Sequence, residues 1–187
     1  HELITLDNCF RDSPYVQQCL NSPYENQKFC KLADYLRIHY LYTKGGIYLD
    51  GDVEVLSNKN FDSLLHHKMF LGREKAGWLN NAVMGSMPGH PFMKRWQELV
   101  ETSCRGDDNK CFESAMELMT QRYYRWRDYP KYGMHICDRD VFYPYDHITN
   151  TTELTNNTIT YHHFMKSWCG DNLDKLYGVG KILTTQE

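Results

Sequence analysis

The chain has 187 residues, of which 41% are hydrophobic and 24% are charged, and its formal net charge is −3. This length suits one domain around a single hydrophobic core, and the composition places the chain outside the disordered and the membrane-spanning classes. Because 21 basic residues are balanced by 24 acidic ones and no basic run occurs, the charge pattern argues against a nucleic-acid partner.

Apolar periodicity divides the chain into alternating helices and short strands. Phe29, Leu32 and Leu36 lie on one helical face, and the following Gly45 and Gly46 end that helix. Strands interleaved with helices predict an α/β fold. The predicted elements in chain order are a helix over residues 26–44, strands over 47–49, 53–56 and 69–71, helices from Pro91 and over 112–123, and strands over 141–143 and 158–162.

Seven cysteines occur in the chain, an odd number without any Cys-x-x-Cys pair. This usage predicts mainly reduced thiols and argues against a disulfide framework or a zinc ribbon. Cys104 and Cys111 flank a polar loop, where they would close a small ring in an oxidising compartment. Triplets at Asn150 and Asn156 fit the N-glycosylation pattern, although a polar loop rich in Thr and Asn produces such triplets by chance.

Two carboxylates one residue apart, Asp50 and Asp52, follow the predicted strand over 47–49. Ligands of α/β sheets bind outside the carboxyl ends of their strands, which is where these acids are expected. Paired carboxylate oxygens suit a small divalent cation that keeps several waters and accepts phosphate oxygens. A solvated turn uses the same residue types, so the Asp-Gly-Asp triplet by itself leaves both interpretations open.

A longer string around these acids carries a family resemblance. Residues 33–37 read Ala-Asp-Tyr-Leu-Arg, and residues 41–53 read Leu-Tyr-x-x-Gly-Gly-Ile-Tyr-Leu-Asp-Gly-Asp-Val. This string resembles the glycosyltransferases of family 32, the DXD sugar-transferase family. Later segments that resemble landmarks of the family, in the same order, lie at 70–73, 81–86, 88–91, 142–144, 162–163 and 167–168.

The resemblance implies a GT-A-like, Rossmann-type nucleotide-sugar-binding domain with a mixed sheet flanked by helices. It implies one such domain over residues 1–187, without the N-terminal strand of the family and with a C-terminal lid over 162–187. It also implies peripheral membrane association. The expected location is cytoplasmic, at the inner membrane face, for a bacterial chain and the Golgi lumen for a eukaryotic one.

The activity implied by the resemblance is a metal-dependent, retaining transfer of a hexose from a UDP- or GDP-sugar donor to a saccharide or glycolipid acceptor. The alternative is a catalytically degenerate module that binds a sugar nucleotide or glycan without turning it over. A phosphatase or nuclease that uses an acid pair is disfavoured, because no further Asp/His cluster occurs at motif spacing.

The resemblance also assigns residues to roles in this site. Mn²⁺ or Mg²⁺ is assigned to Asp52 directly, to Asp50 through water, and to His162 in preference to His163. The residues assigned to catalysis and to the transferred sugar are Asp34, Arg37 and Asn81. The residues assigned to donor binding are Asp34, Tyr35, Arg37, Gly46, Asp50, Ser167 and Trp168, the last two as part of the lid.

Each assignment has a structural alternative that the sequence leaves open. Asp34 and Arg37 are three residues apart on a helix and also fit a surface ion pair. Tyr35 fits helix packing, and Gly46 fits a helix C-cap. Asn81 fits a turn, and a lone histidine such as His162 fits an ordinary core or surface position.

Overall fold

The computed structural model describes residues 10–22, 25–75, 78–103, 132–146 and 149–165. The predicted helix over 112–123, the pairing of Cys104 with Cys111, and the roles of Ser167 and Trp168 lie outside these residues. The helices and strands are α1 (Pro14–Leu20), α2 (Glu25–Thr43), β1 (Gly46–Leu49), β2 (Val53–Val55), β3 (Met69–Lys75), β4 (Trp78–Ser86), α3 (Pro91–Ser103), β5 (Met134–Cys137), α4 (Arg139–Phe142), β6 (Tyr145–Asp146), β7 (Thr151–Thr152) and β8 (Thr160–His162).

The helix α2 leads directly into the first strand, as the periodicity predicts. Leu32, Leu36 and Leu41 on this helix are buried. The chain turns at Gly45, whose φ of +70° lies in the left-handed region, and a Cβ there would lie 2.6 Å from Pro88 Cδ. A glycine at this position ends the helix and allows the close approach. None of the described helices is both long and apolar enough to cross a membrane.

The main sheet has four strands in the order β1-β4-β3-β5. The central strand β4 is antiparallel to both β1 and β3, whereas β5 is parallel to β3. The sheet is therefore mixed, as expected. The spacing of apolar residues did not indicate β4 or β5, because residues 82–86 of β4 are all buried and show no period of two, and β5 has only four residues.

Side chains alternate between the two faces of this sheet, and an apolar core lies on each face. Met69 and Leu71 of β3 pack in a core with the helices α1, α2 and α3, in which Trp96 is fully buried. Phe70, which lies between them, packs on the opposite face with Phe142 and Tyr143. Helices thus flank the mixed sheet, which confirms the predicted α/β architecture.

The predicted strand over 141–143 is wrong, because Val141 and Phe142 end the short helix α4. The Val141 N–H donates to the carbonyl of Asp138, which precedes this helix. A three-residue apolar run has no periodicity that separates a strand from a buried helix. Phe142 and Tyr143 are both 0% exposed, so this apolar run reflects burial in the core and not a strand.

The predicted strands over 53–56 and 158–162 pair with each other. β2 and β8 form an antiparallel two-stranded sheet in which Val53 lies opposite His162. The His163 N–H also donates to the Asp52 carbonyl at 3.0 Å. This pairing carries the histidine at the end of β8 to the second acid of the Asp-Gly-Asp turn.

Candidate functional site

The candidate site begins at the carboxyl end of β1, where Asp50 and Asp52 follow the strand. The Asp50 N–H donates to the Ala82 carbonyl at 2.8 Å, and the Val53 N–H donates to the Asp50 carbonyl at 3.1 Å. These bonds fix a tight turn at Gly51 at a strand end, the position where ligands of α/β sheets bind. Both acids are partly exposed, so their carboxylates are accessible to a ligand.

Arg37 is the centre of a buried polar network beside Asp50. Its side chain comes from α2, and the residue is 6% exposed. Nη1 lies 3.1 Å from Asp50 Oδ1 and donates to the backbone carbonyl of Asn81 at 3.0 Å and to its side-chain oxygen at 3.1 Å. Nη2 lies 3.4 Å from Asp34 Oδ1. One guanidinium therefore joins α2, the turn after β1 and strand β4, and its single positive charge pairs with two carboxylates.

Asn81 closes this network from β4. Its amide nitrogen donates to Asp34 Oδ1 at 2.9 Å, so Asp34 accepts from Asn81 and pairs with Arg37 as well. A simple surface ion pair does not describe Asp34 and Arg37, because Arg37 is buried and also reaches Asp50. The structure thus brings together four of the predicted site residues, and an isolated turn does not describe Asn81.

Tyr48 belongs to the same network and was not among the predicted residues. Its hydroxyl donates to Asp50 Oδ1 at 2.6 Å, and the Arg37 guanidinium carbon lies 4.8 Å from the centre of its ring. Burial raises the pKa of Tyr48 above its ordinary value, so the phenol stays protonated. The signal in the sequence was its position two residues before Asp50, since alternate residues of a strand share a face.

Asp52 is held by groups from β8 and the residues after it. His162 Nε2 lies 3.2 Å from Asp52 Oδ1, and the Met165 N–H donates to Oδ2 at 3.0 Å. Burial by itself raises the pKa of Asp52, but the hydrogen bonds from His162 and Met165 outweigh burial, and the pKa lies below its ordinary value. Asp52 is therefore an anionic carboxylate at neutral pH.

The backbone at Phe164 directs the chain onto Asp52. Its φ of +49° lies in the left-handed region, which a bulky side chain rarely adopts. This turn precedes the Met165 N–H that bonds Asp52, and the Phe164 ring lies 4.0 Å from the His162 ring. Strained backbone of this kind is common where the surrounding structure fixes a functional group.

Asp50, Asp52 and His162 form a candidate cation site. One potential ligand atom from each of the three residues lies within 4.8 Å of those of the other two. Two carboxylates and an imidazole suit Mn²⁺, and the carboxylates also suit Mg²⁺. His162 is 7% exposed, and its Nδ1 is buried without a hydrogen-bond partner among the residues that the structure describes. A buried imidazole nitrogen in this situation is consistent with a ring that binds a ligand, so the residues of this cluster fit a divalent cation.

His163 lies away from this cluster. Its Nε2 is 3.2 Å from Glu54 Oε2, and the two side chains are 46% and 59% exposed. Successive side chains of a strand point to opposite faces, which separates His163 from His162. His162, and not His163, therefore lies beside the two acids of the turn.

Two residues assigned to donor binding are not brought to this cluster. Tyr35 is 2% exposed, and its hydroxyl donates to Glu101 Oε1 at 2.9 Å and lies 3.2 Å from Ser13 Oγ. Burial raises its pKa to about 12. Gly46 begins β1, roughly 13 Å of extended chain from Asp50 at the usual rise per residue. Tyr35 therefore occupies a packing position, and Gly46 serves the turn that follows α2.

The comparisons with known proteins agree with this geometry. Residues 4–71 match the family described as "Glycosyltransferase sugar-binding region containing DXD motif". The matched residues include Asp34, Arg37, Tyr48 and both acids of the turn. No solved structure matches the chain significantly.

The similar curated proteins are fungal. Inositol phosphoceramide mannosyltransferase 3 of Schizosaccharomyces pombe is 38% identical over 79 residues, which are 42% of this chain and 20% of that protein. Inositol phosphoceramide mannosyltransferase 2 of the same organism is 37% identical over 62 residues, 33% of this chain and 17% of that protein. Glucan organizing enzyme 1 of Cryptococcus neoformans var. grubii is 30% identical over 149 residues, 74% of this chain and 38% of that protein.

The chain thus spans between 17% and 38% of the length of these curated relatives. The family match places the Asp-Gly-Asp turn in a sugar-binding region, and the helices flanking the mixed sheet agree with the GT-A-like fold that this family suggests. The resemblance noted in the sequence is confirmed by both comparisons. Residues 4–71 of the chain therefore carry the glycosyltransferase sugar-binding region that contains the DXD motif.

Proposed function

We propose that this chain is a metal-dependent glycosyltransferase. It moves a hexosyl group from a UDP- or GDP-sugar to a saccharide or glycolipid acceptor and retains the anomeric configuration. The observation that supports this most strongly is the position of the Asp50–Asp52–His162 cluster directly beside the buried Arg37 network. Because two relatives are named mannosyltransferases, mannose is the first sugar to test.

The three ligand residues have different tasks in this proposal. When bound, the divalent cation neutralises charge on the departing nucleoside diphosphate. Asp52 and His162 would hold it directly. Asp50 would contact it through water, as the family resemblance implies, while Arg37 and Tyr48 hold its two oxygens in place.

The Arg37 network supplies the sugar side of the site. Asp34 offers carboxylate oxygens and Asn81 an amide, and these groups suit sugar hydroxyls. Arg37 orients both groups through its contacts. Its buried positive charge also stabilises the negative charge that develops on the leaving group, since electrostatic stabilisation is stronger where water is excluded.

Retention of configuration is proposed through attack on the same face of the sugar, assisted by the departing phosphate. A double displacement needs a carboxylate that is free to attack the sugar. Asp34, Asp50 and Asp52 each accept hydrogen bonds from other groups of the described site. In this proposal these three carboxylates already serve the sugar or the cation, so none of them is given the role of nucleophile. The anomeric configuration of the product, read by NMR, tests this part of the proposal.

A donor screen tests the activity itself. UDP- and GDP-linked mannose, glucose and galactose are offered with Mn²⁺, together with soluble saccharides or with inositol phosphoceramide in mixed micelles. Transfer of the sugar to an acceptor is the expected result. Metal-dependent binding of UDP or GDP by calorimetry, without transfer or release of sugar, would instead identify a degenerate binding module. Transfer confined to the micellar acceptor would support peripheral membrane association.

The two adjacent histidines provide a matched prediction. His162→Ala is expected to raise the Mn²⁺ concentration needed for half-maximal activity about 10- to 100-fold, because it removes a proposed ligand. His163→Ala is the control, since its ring pairs with Glu54 on the other face. Metal titrations of both variants measure the effect. The reverse pattern would move the ligand to His163, and equal titrations would remove histidine from the site.

Tyr48→Phe is expected to lower kcat/KM about 10-fold while leaving the fold intact. The change removes the hydrogen bond to Asp50 and keeps the ring beside Arg37. Hydrogen bonds to charged groups contribute about 1.5 to 3 kcal/mol, part of which water recovers at a partly exposed carboxylate. Steady-state kinetics and a melting curve measure the two effects. Unchanged kinetics would show that Arg37 alone orients Asp50.

A further inference from the structure

Strand β4 contains an irregularity next to the site. Leu71 of β3 lies opposite Met84, but the next residue, Gly72, lies opposite Asn80. One step along β3 therefore corresponds to four steps along β4, and residues 81–83 have no partner in β3. These three residues form a bulge, a feature that redirects side chains near active sites. Asn81 is its first residue.

The side chain of Tyr143 fills the gap that this bulge leaves. Its hydroxyl accepts from the Val83 N–H at 3.1 Å and donates to the Asn80 carbonyl at 3.4 Å. The residue is 0% exposed. Burial raises the pKa of Tyr143 well above its ordinary value, so the phenol remains protonated and can donate and accept together. Without this hydroxyl, the Val83 N–H would be a buried donor without a partner.

Two neighbouring residues, Gly72 and Asn80, accommodate the Tyr143 ring and the bulge. A Cβ on Gly72 would lie 2.8 Å from Tyr143 Cε2, so only glycine leaves room for the ring. At the start of the bulge, Asn80 Oδ1 accepts from the Ala82 N–H at 2.7 Å. The bulge is therefore held on one side by Asn80, the residue that precedes it, and on the other by Tyr143, which lies 60 residues along the chain from Val83.

The geometry points to Tyr143 as a positioning residue: its hydroxyl holds the 81–83 bulge in the shape that presents Asn81 to Asp34 and Arg37. The Asn81 carbonyl and side chain both contact Arg37, and its amide donates to Asp34, so a shift of the bulge alters all three contacts. This inference rests on the proposed function, because the part that Asn81 plays in transfer belongs to that proposal. Tyr143 itself contacts no reacting group.

Tyr143→Phe tests the role, because it keeps the ring and removes only the hydroxyl. We expect kcat/KM for transfer to fall about 10-fold, because the loosened bulge would hold Asn81 less firmly against Asp34 and Arg37. The Mn²⁺ concentration for half-maximal activity should stay within about 2-fold, because the ring still packs against His162 with its centre 5.8 Å away.

Thr160→Val is the matched control for stability. Thr160 is 0% exposed, and its hydroxyl donates to the carbonyl of Phe142, the neighbour of Tyr143, at 3.0 Å. Thr160→Val loses one buried hydrogen bond and Tyr143→Phe loses two, so both variants are expected to show a lower Tm. Only Tyr143→Phe should lower kcat/KM by more than about 3-fold. Equal kinetic losses in the two variants would make Tyr143 merely structural and overturn the inference.

A double-mutant cycle with Asn81→Ala shows whether Tyr143 acts through Asn81. In the Asn81→Ala background, Tyr143→Phe should change kcat/KM by less than about 2-fold, because the group that it positions is already absent. Independent, multiplicative losses would contradict the inference.

Amide exchange measured by NMR tests the positioning without any activity. Tyr143→Phe should accelerate exchange of the Val83 amide proton and of the Asn81 side-chain amide, and Thr160→Val should leave both unchanged. Unaltered exchange in Tyr143→Phe would refute the role of Tyr143 even if transfer is observed. Wild-type protein that neither binds nor uses a sugar nucleotide, yet shows this exchange pattern, would instead refute the proposed function.

Discussion

Asp52→Asn is expected to lower kcat for sugar transfer by at least about 1,000-fold, because several kcal/mol of charge stabilisation depend on the bound cation. The substitution keeps the shape of the side chain and its contact with the Met165 N–H but removes the anionic charge. The affinity for Mn²⁺, measured by calorimetry or by metal titration of activity, should fall with it. The melting temperature should change little, since Asp52 is partly exposed.

Glu54→Gln is the matched control for this substitution. Glu54 lies two residues further along the chain, but its carboxylate is 59% exposed and pairs with His163, whereas Asp52 pairs with His162. Its conversion to the amide should leave kcat and the metal requirement unchanged. Full activity of the wild-type protein in EDTA would contradict the metal-dependent mechanism. An Asp52→Asn variant as active as Glu54→Gln would contradict it as well.

Arg37→Lys is expected to lower kcat/KM about 100-fold and Tm by about 5 °C. Lysine keeps the positive charge, but a single ammonium group cannot reach Asp34, Asp50 and both oxygens of Asn81 as the guanidinium does. Arg37 is 6% exposed, so in the lysine variant some of the oxygens that Arg37 contacts lose their hydrogen bonds where little water can replace them. Loss of about 1 to 3 kcal/mol produces a shift of this size in a chain of this length.

Arg95→Lys is the control, because Arg95 pairs with Glu98 three residues away on α3 and both side chains are about half exposed. Exposed pairs of this kind contribute little, so kinetics and Tm should stay at wild-type values. If Arg37→Lys prevents folding, Asn81→Ala becomes the second test and should lower kcat/KM with a melting transition retained. Wild-type kinetics in both variants would contradict a catalytic role for the network.

The local elements around the Asp-Gly-Asp turn follow from sequence alone. The spacing of apolar residues identifies α2, the glycines locate its end, and the short apolar run before Asp50 is β1. These signals lie within a few residues of each other, so propensity and turn chemistry determine them directly. The string from Ala33 to Val53 also indicates the resemblance to the DXD sugar transferases, which the match over residues 4–71 supports and from which the cation site is proposed.

Tertiary structure decided which side chains meet. Arg37 meets Asn81 across 44 positions of sequence, and Asp52 meets His162 across 110. The register of β4 against β1 and β3 sets the first contact, and the pairing of β2 with β8 sets the second. Local sequence alone could not distinguish the packing role of Tyr35 from the polar contacts of Tyr48 and Tyr143, because all three are tyrosines that fold into buried or half-buried positions. The partner of each hydroxyl separates them. That partner is Glu101 for Tyr35, Asp50 for Tyr48 and Val83 of the 81–83 bulge for Tyr143. Those partners come from other strands and helices, and only folding brings them within hydrogen-bond distance.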